Sequence, residues 1–137
     1  MIRTLGFLSL LAAVAFAHAE DQPKPGKIVP IPLEGTDKIA VKVGDWNKPT
    51  PVSDSDDLKK FVTEPATLKK VMEGVDFKTH ILLVFAWQGS GGDKLTAALT
   101  DDTPQEVRFT LKPGVTDDLR SHVQLFAVKK EVRWTAK

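Results

Sequence analysis

Cysteine is absent from all 137 residues, which excludes disulfides, thiolate zinc sites and cysteine nucleophiles together. Charge of one sign is missing as well. The 19 basic and 18 acidic residues leave a net charge of +1, so bulk electrostatics offers no basis for binding nucleic acid or an anionic membrane. Histidine is scarce, and His80 and His122 form neither a His-x-His nor a His-x-x-x-His metal spacing. The chain holds no internal repeat, and its apolar and charged fractions, 42% and 27%, are those of an ordinary globular domain. Stability must come from burial. A chain of this size can withdraw roughly two-thirds of its unfolded surface from water without cross-links or a structural metal.

No apolar run approaches the roughly 20 residues needed to span a bilayer. The longest, residues 5–17, follows Arg3 and closes on Ala17-His18-Ala19, with acidic Glu20 and Asp21 next. This is the pattern of a secretory signal peptide over residues 1–19, cleaved after Ala19. Because no cysteine follows the cleavage site, lipoprotein-type attachment is excluded, and no membrane insertion is expected after cleavage. Removal of Arg3 leaves acids and bases in equal number. Residues 20–35 carry Pro23, Pro25, Pro30 and Pro32 and are expected to form an extended tether. Residues 36–137 are expected to form a single α+β domain.

Within that domain residues 39–43 alternate as a short strand, and Trp46 precedes a breaker stretch at 47–51. Ser53-Asp54-Ser55 offers capping oxygens to a helix with Leu58, Phe61 and Val62 on one face. Pro65 opens a second helix with an apolar stripe of Leu68, Val71 and Met72, stopped at Gly74. From residue 79 the pattern becomes that of strands. Residues 80–87 are almost continuously apolar, as in a central strand covered on both faces. Residues 94–100, 107–112 and 122–129 alternate, and a last short run covers 132–134. The reading is an antiparallel meander of four to five strands with two short helices on one face. Leu83, Phe85, Phe109 and Leu125 are the expected core. Trp46, Trp87 and Trp134 are read as core or strand-edge packing, with a carbohydrate-stacking platform as the alternative.

The distinctive segment is Gly89-Ser90-Gly91-Gly92-Asp93-Lys94. It is not a P-loop, because Asp93 separates Gly92 from Lys94 and a strand follows. The dinucleotide fingerprint fails at Lys94, and the hydrolase elbow fails at Gln88. It is either a connection exploiting positive-φ glycines or a loop whose backbone N–H groups meet a ligand or partner. Counting strand directions in a meander returns residues 116–122 to the same end. That places Arg120 and His122 beside Gly89, Ser90, Gly91, Gly92, Asp93 and Lys94 on one rim, while His80 lies at the far end of its strand.

The order of segments over residues 75–130, with Leu-Leu-Val-Phe-Ala-Trp-Gln-Gly-Ser-Gly-Gly-Asp-Lys-Leu at 82–95 and a closing Val-Gln-Leu-Phe-Ala-Val strand, resembles the carboxy-terminal domain of PrcB-type protease-complex-associated proteins. It is more similar still to small secreted bacterial proteins of uncharacterised function. The resemblance implies a non-catalytic accessory domain outside the cytoplasm and supplies no catalytic residue. In the PrcB-type pattern the loop reads Thr-Gly-Gly-Tyr and the last strand opens with Tyr-Pro, where this chain has Ser90-Gly91-Gly92-Asp93 and Ser121-His122-Val123. The expected function is a secreted or periplasmic interaction domain presenting the glycine-rich rim to a protein or small ligand, without a cofactor, metal or nucleic acid. A small extracytoplasmic hydrolase or ligand-processing enzyme using Ser90, Asp93, Arg120 and His122 is the alternative.

Overall fold

A strand that is apolar on both pleat faces can be stable in water only if both faces are covered, and the architecture is organised around that requirement. The computed structural model describes residues 28–31 and 39–137; the expected signal peptide and most of the expected tether lie outside them. The described elements run β1 (Val29–Ile31), β2 (Thr50–Val52), α1 (Ser55–Phe61), α2 (Pro65–Gly74), β3 (His80–Ser90), β4 (Lys94–Leu99), β5 (Glu106–Lys112), β6 (Leu119–Lys129) and β7 (Arg133–Ala136). They form two sheets, ordered β1-β6-β3-β2 and β4-β5-β7. All pairings are antiparallel except β5 with β7.

The fold is α+β, with both helices on one face of the larger sheet. Leu82 and Val84 of β3 pack with Leu58 of α1 and Val71 of α2. Leu83, Phe85 and Trp87, pointing the other way, pack against Leu95, Val107 and Phe109 of the smaller sheet. All four expected core residues, Leu83, Phe85, Phe109 and Leu125, are buried. The meander is split: β4 and β5 form its hairpin, but β3 pairs with β6, and the chain leaves the larger sheet at 91–93. A single sheet would have exposed one apolar face of β3; folding β4 and β5 over it supplies the second cover.

Several local expectations shift. Residues 39–43 contribute one isolated bridge, Ile39 to Val62, and the strand bordering β3 is β2, which overlaps the end of the expected breaker stretch. The described part of the expected tether is also a strand, β1, whose Ile31 is buried. Both strands contain a proline, Pro30 and Pro51, and both are edges. Proline lacks the donor a central strand needs and is tolerated at an edge, where it also discourages pairing with another chain. In α1 the cap is Asp54, whose carboxylate accepts from the amides of Asp56 and Asp57 at 2.9 and 2.8 Å. In α2 Val71 is buried as expected, but Met72 is exposed.

Candidate functional site

The eleven-residue register between β3 and β6 sets Trp87 opposite His122, Gly89 opposite Arg120 and Ser90 opposite Leu119. The glycine-rich turn and the segment leading into β6 therefore meet at one end of the larger sheet. His80 pairs with Lys129 at the other end. The two segments converge at one end as expected, through direct β3–β6 pairing instead of three alternations of a meander. β6 also starts at Leu119, three residues before the expected boundary, which carries Arg120 into the ladder.

Polar side chains knot the two segments together. The Ser90 hydroxyl lies 2.6 Å from that of Thr116 and accepts from the amides of Thr116 and Gly92 at 3.1 and 3.3 Å. Asp93 turns inward. One oxygen accepts from the Trp87 indole N–H at 3.1 Å, the other from the Gly114 amide at 2.7 Å. These two bonds, in the order Gly114 then Trp87, hold the Asp93 carboxyl below its ordinary range, with the nearby His122 adding to the effect. Asp118 is lowered by its bond from Thr116, with the Gly91 amide and the Arg120 guanidinium also contributing. The Gly91 amide donates to it at 3.2 Å, and Arg120 forms an ion pair with it.

His122 stacks on Trp87, with ring centroids 4.8 Å apart and planes at 14°. Its Nε2 lies 2.9 Å from the carbonyl of Ser90. A carbonyl oxygen only accepts, so Nε2 carries the proton and donates. General-base activation would require an imidazole nitrogen aimed at the serine hydroxyl. Here the imidazole faces the serine backbone, and the hydroxyl is taken by Thr116 and two amides. Ser90, Asp93, Arg120 and His122 are thus close in space and fasten loops to each other.

The glycines serve close approach. None of Gly89, Gly91, Gly92 or Gly114 has a φ in the left-handed region, which corrects the expectation of a positive-φ connection. A Cβ on Gly114 would stand 2.5 Å from the carbonyl carbon of Gly92, and one on Gly89 would stand 2.0 Å from Asp93 Oδ2. Backbone touches backbone where the two loops cross, and only glycine fits.

Lys94 opens β4, exposed and directly opposite Lys112. Both line a shallow groove of about 260 Å³ with Pro113, Val115 and Thr116. Val115 is 98% and Leu119 73% exposed. Sequence reasoning did not single out these two, nor Thr116, Asp118 and Gly114 as partners of the glycine turn. The available signal was the cluster Pro113-Gly114-Val115-Thr116-Asp117-Asp118, in which one aliphatic residue stands among turn formers.

On the opposite side of Asp93 the 44–48 turn leans over the end of β3. The Gly44 amide donates to the Ala86 carbonyl at 3.0 Å, and an open cleft of about 370 Å³ lies between that turn, Trp87, Gln88, Asp93 and Leu111. Among the described residues no group of three or more His, Asp or Glu side chains could hold a metal ion, and no helix is long and apolar enough to cross a membrane. Compared with protein-family models, with curated proteins and with solved structures, the chain matches none.

Proposed function

We propose that the protein is a secreted or periplasmic, non-enzymatic interaction domain that presents the rim formed by residues 89–94 and 113–120 to a partner protein. The observation that carries this reading is the exposure of Val115, on a loop that is otherwise pinned, and of Leu119, at the start of β6. Large aliphatic side chains left in water on a rigid mount act as anchors for a partner, since little ordering entropy remains to be lost on binding. Around them stand Lys94, Lys112, Asp117 and Arg120, a charged border of both signs suited to a polar interface rim. The resemblance to an accessory domain acting outside the cytoplasm agrees with this reading, and so does the export signal in residues 1–19.

The test is affinity capture with chemical cross-linking from the native extracytoplasmic fraction. Mature wild-type chain is compared with a Val115→Ser, Leu119→Ser double variant. The wild type is expected to enrich a protein that the variant does not, while their unfolding free energies agree within about 0.5 kcal/mol, as for exposed surface residues. Equal enrichment by both baits would overturn the assignment to this rim. Hydrolytic activity abolished by Ser90→Ala would overturn the non-enzymatic reading.

A further inference from the structure

The cleft beside the 44–48 turn shares Asp93 with the rim and otherwise combines groups that the rim does not use, and we infer that it is a binding site for a neutral saccharide. Its wall is the half-buried indole of Trp46. Trp87, 2% exposed and already stacked on His122, also lines it. Asn47 and Gln88 contribute one amide each, and Asp45 and Asp93 contribute carboxylates. A volume of about 370 Å³ lies within the range of small-molecule sites.

The chemistry of this set selects a polyhydroxylated, uncharged ligand. Sugar hydroxyls both donate and accept, and an amide supplies a donor and an acceptor side by side. Each oxygen of Asp93 has one protein partner and room for a second donor. The C–H face of a pyranose is apolar and suits a half-buried indole with polar neighbours. An anion is disfavoured, because Lys48, the one cation in the lining, is tied to Asp45 at 2.7 Å and Asp93 remains negative. The walls are also preorganised. The Asp45–Lys48 turn is closed by its ion pair and by a backbone bond of 3.0 Å, Gly44 is bonded to Ala86, and Asp93 is held by Trp87 and Gly114. Little reorganisation is needed when a ligand enters. This inference concerns a cleft that shares only Asp93 with the rim, and neither reading depends on the other.

The experiment is titration of the isotope-labelled mature chain with cellobiose, maltose and N,N′-diacetylchitobiose, each up to about 10 mM, followed by NMR, with putrescine as a cationic control. At least one disaccharide is expected to shift the indole N–H of Trp46 and the side-chain amides of Asn47 and Gln88, leaving Trp134 unmoved. Trp46→Ala and the double variant Asn47→Ala, Gln88→Ala should each weaken that binding roughly tenfold. Gln88 and Asn47 are exposed, so the double variant remains informative should Trp46→Ala fail to fold. Absence of a shift with all three disaccharides would overturn the inference. Shifts that persist undiminished in the double variant, or a response to putrescine alone, would overturn it too.

Discussion

Phe85 sits where three aromatic rings converge. Its centroid lies 4.7 Å from that of Phe109 and 5.8 Å from that of Phe126, at interplanar angles of 48° and 89°, in the tilted and edge-on arrangements that aromatic pairs favour. It is fully buried between the two sheets. Phe85→Ala leaves a cavity that rigid strands on both sides cannot close, and it should cost about 3–5 kcal/mol in a chemical melt. A loss below about 1 kcal/mol would mean that the inter-sheet core does not rest on this ring. Asp93 makes a different kind of contribution, one that depends on pH. Its carboxyl lies below the ordinary 3.8 when folded because Gly114 and Trp87 donate to the charged form. Asp93 therefore favours the folded state above 3.8, and that contribution is lost as pH falls through the lowered folded value. Denaturant midpoints recorded from about pH 6 down to about pH 2 should fall less steeply below 3.8 for Asp93→Asn than for the wild type. At neutral pH the variant should be the less stable of the two, because an amide cannot accept both bonds equally well.

At the scale of elements, the two proline-bearing strands define the limits of the larger sheet. β1 covers the free edge of β6, pairing Val29 with Ala127 and Ile31 with Leu125, and Ile31 belongs to the core shared with the helices. Ile31→Ala should therefore lower stability by about 2 kcal/mol or more, as a core truncation does. A change within about 0.5 kcal/mol would return residues 28–31 to the status of a surface tether. Proline content pointed away from these strands because it reports local backbone freedom; what makes them strands is the unpaired edge of another element. The helices were far easier to read. Asp54 at the cap, acids in the first turn of α1 and Pro65 at the start of α2 are local devices acting within a few residues. Met72 marks where helical spacing alone misleads, since the stripe is wide enough to include a position beyond the sheet's reach.

For the whole molecule, the order of layers follows from β3. Helices, larger sheet and smaller sheet enclose two cores that share this strand, and the rim forms where β3 and β6 end together. The export reading makes one further prediction at this scale. Intact-mass analysis of exported protein should show a chain beginning at Glu20, and material retaining residues 1–19 would contradict it. Features that act through local patterning were determined by the sequence alone: the helix starts, the apolar run of β3 with its need for two covers, and the buried Leu83, Phe85, Phe109 and Leu125. The convergence of residues 89–94 with Arg120 and His122 was also legible, because strand parity constrains which end a segment returns to. Only the tertiary structure decided that β3 pairs with β6, that β4 crosses to a second sheet, and that Asp93 faces Trp87 and Gly114 instead of solvent. Pairing between strands separated by thirty or so residues depends on which faces can be buried together, and no window of neighbouring residues encodes that choice.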